Sequence, residues 1–164
     1  MKRVAALGCL ATVLGADWVI RHRRPRWIVS GLFDEPAHVA TAGLVLINLP
    51  RLSGPWTSGF VVGSVLPDVD HIPLVLREEH PALTDPRPVT HCLAAAAPLA
   101  VAAGLTRSDA LAGAAVGAVV HFARDLAVGT GVPLAQPLSA RAFKVPYALY
   151  VTALAALALA AARR

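Results

Sequence analysis

Apolar residues fall into long runs separated by short polar or basic breaks: Val4–Ile20, Ala37–Leu49, Trp56–Leu66, His91–Leu105, Leu111–Val128 and Pro146–Ala162. The runs are rich in Ala and Leu, lack period-two alternation and end at proline or glycine, as Pro50 and Pro67 show, and that predicts helices. Several are shorter than the roughly 20 residues of a full membrane span. The pattern therefore predicts an all-α polytopic membrane helix bundle of four to six spans without β-sheet. Thr106-Arg107-Ser108-Asp109 has the spacing of a capping box and marks the start of the fifth run, and Gly129 and Gly131 mark its end.

The polar residues that interrupt this pattern are not scattered. With six spans, Asp34, Glu35 and His38 open the second and Asp68, Asp70 and His71 close the third. His91 opens the fourth, and His121 and Asp125 lie in the last two turns of the fifth. In a bundle of consecutively antiparallel helices, start, end, start and end all meet at one membrane face. Ionisable side chains at membrane depth point by default to function. His121 and Asp125 are four residues apart and leave one helix face a turn apart, so an imidazole and a carboxylate can grip one ion. Pro67 breaks the third helix where Asp68, Asp70 and His71 arrive. Mixed imidazole and carboxylate donors suit Zn2+ first, with Mn2+ or Fe2+ as alternatives, and the number of donors allows one or two ions. The expectation is a polar metal-site cluster at one membrane face.

Composition agrees with a bilayer environment. Of 164 residues, 56% are hydrophobic and 15% charged, against roughly 45–50% and about 25% in soluble domains, and the mean hydropathy is +0.60. The formal net charge is +5, but the basic residues cluster between apolar runs, as Arg21, Arg23, Arg24 and Arg26 do. That is how Lys and Arg hold helix ends at headgroups, and no nucleic-acid-reading module is visible. Cys9 and Cys92 sit in apolar runs without metal-ligand spacing and read as small buried hydrophobes. The first run lacks a small-x-small cleavage site before a polar mature region, so it reads as a retained anchor helix.

The order His38, then Leu66-Pro67-Asp68-Val69-Asp70-His71, then Thr90-His91, then His121-x-x-x-Asp125, followed by Gly131-Val-Pro-Leu134-x-x-Pro137, resembles the YdjM-like family. These are bacterial inner-membrane proteins associated with LexA binding and metal-dependent hydrolysis. The resemblance spans about Glu35 to Pro137. It implies His38, Asp68, His91, His121 and Asp125 as metal ligands, with Asp70 and His71 as further ligands or groups supporting them. The family is in turn similar to helical zinc phospholipases C and P1-type nucleases, which implies phosphoester hydrolysis by analogy. Two positions depart from the family pattern. Pro86 stands where a His is usual, with His80 upstream as a substitute, and Val128 stands where a Thr is usual.

On this reading residues 1–30 form an N-terminal anchor and basic juxtamembrane segment, 31–140 a hydrolase-like membrane core, and 141–164 a C-terminal membrane helix. Asp70 or His71 would act as general base, and Arg87 would hold a substrate phosphate, ahead of Arg141 and Lys144. The partners expected are the lipid bilayer and a lipid or lipid-linked phosphoester, with no nucleic acid. No charged surface for binding a repressor stands out. A non-catalytic metal binder and a small transport or partner-binding protein are the rival classes, but an ion path needs polar residues across the membrane rather than at one end. The basic residues Arg21, Arg23, Arg24, Arg26, Arg77, Arg87, Arg124, Arg141 and Lys144 fall on the site side. Lys2, Arg3, Arg51, Arg107, Arg163 and Arg164 fall on the other, which favours a cytoplasmic site on a multi-pass plasma-membrane protein.

Overall fold

The structure, a computed structural model, describes residues 1–72, 88 and 90–163, with Trp27 and Ile28 by backbone alone. It is mainly helical: α1 Lys2–Arg23, α2 Trp27–Asn48, α3 Gly54–Gly63, α4 Ala96–Thr106, α5 Asp109–Val128 and α6 Tyr147–Ala162. Short 3-10 turns run over Leu66–His71 and Leu93–Ala95. Among the described residues, α1 and α5 are long and apolar enough to cross a membrane, while Leu93–Thr106 and Tyr147–Ala162 are apolar but shorter.

The chain divides into two compact units, residues 1–52 with 146–164, and residues 53–145. In the first, α1 packs on α2 and both pack on α6. Its interior is Ala6, Val13, Ala16, Ala37, Leu44, Leu154 and Ala158, small and aliphatic residues that let helices approach. Polar pairs join the helices. The Tyr147 hydroxyl donates to Asp17 Oδ2 at 2.9 Å, Thr41 and Tyr150 share a bond of 2.7 Å, and Asn48 Nδ2 donates to the Leu157 carbonyl at 3.0 Å. Arg21, His22 and Arg23 in the last turn of α1 suit its negative end, and Arg24 in the left-handed region (φ 44) stops it.

The helix α2 corrects the sequence reading. It starts at Trp27 and runs through Pro36 rather than opening at Ala37. The apolar and aromatic stretch Trp27–Phe33 continues the helix, and the proline removes one N–H donor without ending it. Asp34, Glu35 and His38 therefore lie inside a helix, not at its start.

In the second unit, α3 and α5 run side by side in the same direction at backbone contact. A Cβ placed on Gly59 or Gly63 would strike the carbonyl of Ala110 or Ala114, and one on Gly113 or Gly117 would strike that of Trp56 or Phe60. Two Gly-x-x-x-Gly faces thus interlock, the arrangement that lets helix backbones meet without side chains between them. Their N-terminal ends are aligned by Ser53. Its hydroxyl caps α3 by accepting from Trp56 N–H at 3.2 Å and donates to Asp109 Oδ2 at 2.6 Å. The capping box expected at Thr106 does not form, because Thr106 is the last residue of α4 and Arg107 (φ 53) takes the left-handed cap. Ser108 caps α5 instead, accepting from Leu111 N–H at 3.3 Å.

The expectation of no β-sheet is also corrected. Val132–Ala135 and Ser139–Phe143 form an antiparallel hairpin that pairs Val132 with Phe143 and Ala135 with Ser139. The strands are too short to show as a periodic run, and Pro133 and Pro137 give the stretch the look of a loop. Val132 is buried against Phe122, Ala96 and Ala118, so the hairpin's base is part of this unit's core.

Candidate metal centre

Three elements of the second unit deliver the polar residues to one place. The close α3–α5 contact ends where α3 ends, at Gly63, and Ser64 follows. The Leu66–His71 turn, with Pro67 near its start, then carries Asp68, Asp70 and His71 over α5. His91 sits just ahead of α4, and His121 and Asp125 are on the last two turns of α5.

His121 is oriented by backbone. Its Nδ1 lies 3.0 Å from the Ser64 carbonyl oxygen, which can only accept, so Nδ1 carries the hydrogen. In the neutral ring Nε2 is then a lone pair. It faces Asp125 Oδ2 at 3.2 Å and Asp68 Oδ1 at 3.6 Å, both acceptors. Acceptors that converge in a buried place need a proton or a cation among them. A backbone carbonyl holding the far nitrogen of a ligand imidazole is the support that metal-bound histidines ordinarily have.

His91 is flanked on both sides. Its Nε2 lies 2.8 Å from Asp125 Oδ2 and its Nδ1 3.4 Å from Asp70 Oδ1. Burial pulls its pKa down, but hydrogen bonds and charge from Asp125 and Asp70 outweigh that and hold it up at about 9. His71 completes the cluster with Nδ1 at 3.2 Å from Asp68 Oδ1 and Nε2 at 3.6 Å from Asp70 Oδ1. The Thr90 hydroxyl donates to Asp70 Oδ2 at 2.7 Å. The Phe122 ring meets His91 and His121 edge-on, with centroids 5.4 Å from each, and walls the imidazoles off below.

Two sets of donor atoms wholly within this unit each gather within 4.8 Å: Asp68, His91 and His121, and Asp70, His71 and His91. The separations of 3.2 and 3.6 Å around His121 Nε2 suit the edges of a shell with bonds of about 2.0–2.2 Å. Two imidazoles with a carboxylate in each set fit Zn2+, Mn2+ or Fe2+ better than Mg2+ or Ca2+.

Of the residues singled out in the sequence, the structure brings Asp68, Asp70, His71, His91, His121 and Asp125 together in one unit. His38 lies in the other, buried on α2 with Nε2 3.8 Å from Asp34 Oδ2. Arg87, His80, Arg77 and Pro86 lie outside the described residues. Arg124, next to Asp125, is fully buried on α5. Sequence reasoning missed Ser64, whose contribution is a backbone carbonyl, and gave Thr90 no task. It also passed over the glycine pairs at 59/63 and 113/117, whose matched spacing was a readable signal.

Comparison with curated proteins and with solved structures gives no match. A family model described as YdjM inner membrane protein matches residues 34–164. That stretch takes in His38 and the whole second unit and leaves α1 outside. The chain therefore belongs to the YdjM inner membrane protein family.

Proposed function

We propose that this is a multi-pass inner-membrane protein that binds a divalent metal ion, Zn2+ before Mn2+ or Fe2+, and hydrolyses a phosphoester at the membrane surface. The ligands in this reading are Asp68, His91, His121 and Asp125. One observation carries it: His121 Nε2, its tautomer fixed by Ser64, faces Asp68 Oδ1 and Asp125 Oδ2 in a buried site. The shorter apolar helices beside α1 and α5 support four to six spans, and the distribution of Lys and Arg supports a cytoplasmic site.

A bound divalent ion supplies Lewis acidity and makes water acidic enough to attack at neutral pH. The chain supplies the rest. Asp70, oriented by Thr90, and His71, which lies against both Asp68 and Asp70, are the groups able to take a proton from the attacking water. Arg87 would hold the substrate phosphate, a task suited to a planar two-pronged donor. A site at the end of a membrane helix favours lipid or lipid-linked substrates.

The test is elemental analysis of detergent-purified protein, followed by hydrolysis of a panel of lipid phosphoesters with Asp68→Ala as the blank. Bound metal with turnover above the blank is expected. Full metal occupancy with no turnover on any substrate would leave a metal-binding membrane protein and remove the enzyme reading. Absence of metal under all loading conditions would remove both.

A further inference from the structure

The hairpin that follows α5 has no place in the reading above, yet its surface is unusual. Every residue from Pro137 to Pro146 is exposed, with Leu138 at the turn 92% exposed and Leu134 and Phe143 about two-fifths exposed. Its only charges are Arg141 and Lys144, and from Gly129 to Pro146 there is no carboxylate. The Arg141 guanidinium lies 5.6 Å from the Phe143 ring centroid, so basic and apolar groups share one side.

The hairpin is also held in place. Gly131, at φ +96, turns the chain out of α5 where a Cβ would collide with the Phe143 carbonyl. Val145 N–H donates to the Leu126 carbonyl at 2.8 Å, which returns the second strand to the last turns of α5. If α5 spans the bilayer, the hairpin cannot be far from the surface on the side of His121 and Asp125.

We propose that the hairpin seats on an anionic lipid surface, its Leu138 turn among the headgroups and Arg141 and Lys144 against lipid phosphates. An apolar tip followed by two cations on the returning strand, with no carboxylate nearby in sequence, matches that surface in both polarity and charge. The seat would fix the height of the neighbouring His–Asp cluster relative to the headgroups. The inference rests on α5 being a membrane span, and it is independent of any hydrolytic activity.

The test uses the full chain in nanodiscs, with Cys9→Ser and Cys92→Ala, and a spin label on Leu138→Cys or, as a second position, Ser139→Cys. A label on Val119→Cys, midway along α5 and 45% exposed, reports separately on the span. Collisions with oxygen and with a water-soluble nickel chelate give the depth of each label. The expected result is Val119 in the acyl region and Leu138 at headgroup depth in discs containing phosphatidylglycerol, with Leu138 moving toward water in phosphatidylcholine alone. Arg141→Gln and Lys144→Gln should each shift the seated population toward water by about fivefold. Val119 in lipid with Leu138 equally water-accessible in both lipids would overturn the proposal while leaving the span intact. Val119 in water would overturn the span itself. Leu138 shielded equally in lipid-free detergent would point to a protein contact and also overturn it.

Discussion

The Nδ1 of His121 and the carbonyl oxygen of Ser64 are 3.0 Å apart, although the residues belong to different helical segments. Gly117, one turn before His121, makes this possible, because its missing side chain lets α5 reach the backbone of α3 at Phe60 and Ser64. Gly117→Val should push the helices apart, lower the unfolding temperature in detergent and weaken metal binding, although no ligand changes. Forced overpacking of this kind costs about 1–3 kcal/mol. Gly104→Ala on α4, where an added Cβ meets nothing within 4 Å, is the control and should leave both properties as they are. Equal stability of the two variants would contradict the role given to the glycine faces.

The other end of the same helix pair gives a second prediction. Ser53 caps α3 and also reaches Asp109 on α5, so Ser53→Ala removes two bonds at once. The loss should be about 0.5–2 kcal/mol in a denaturant titration. Combined with Asp109→Ala, the effect should fall short of the sum of the single changes, because both remove the Ser53–Asp109 bond. Full additivity would show that the 2.6 Å contact adds nothing to stability.

How far the sequence was legible depends on the range over which each feature is written. The helices α5 and α6 and the break at Pro67 are local, and runs of Ala and Leu ending at proline or glycine reveal them. Within the second unit, the gathering of Asp68, Asp70, His71, His91, His121 and Asp125 follows from their places at the end of one run, the start of the next and the end of the one after. The start of α2 was misread because Pro36 looks like a boundary, whereas a helix can carry a proline when the residues before it continue the apolar pattern. The hairpin was missed because four- and five-residue strands with Pro133 in one of them leave little periodicity to detect. Ser64 was invisible for a different reason: any residue has a carbonyl, so nothing in the side-chain code marks the one that orients His121.

In the first unit, Tyr147 and Tyr150 make similar bonds with unequal consequences. Tyr147→Phe takes a hydrogen bond from the buried carboxylate of Asp17. Tyr150→Phe takes one from Thr41, whose hydroxyl still donates to the Ala37 carbonyl at 2.8 Å. Losing a donor to a buried charged group costs more than losing a shared hydroxyl, about 1.5–3 against about 0.5–1.5 kcal/mol. Unfolding of the two variants in parallel should rank Tyr147→Phe as the less stable, and the reverse order would contradict the role given to Asp17.

The last prediction separates holding an ion from using it. Asp68 and His121 converge on one point, so Asp68→Ala or His121→Ala should abolish both metal content and any phosphoester turnover. Asp70 stands differently, because one oxygen accepts from Thr90 while the other faces His91 and His71. Asp70→Asn keeps the shape and loses the basicity, so metal should remain while kcat falls by roughly 10²–10⁴-fold, the usual worth of a positioned base. Thr90→Val should lower kcat in the same direction by releasing Asp70, and Thr90→Ser, which keeps the hydroxyl, should restore it. A drop in KM-dependent terms alone would not fit, since neither residue is assigned to substrate binding. Metal analysis and steady-state kinetics on the same preparations decide the matter. If Asp70→Asn loses metal as completely as Asp68→Ala, Asp70 is a ligand, and the base must be sought at His71.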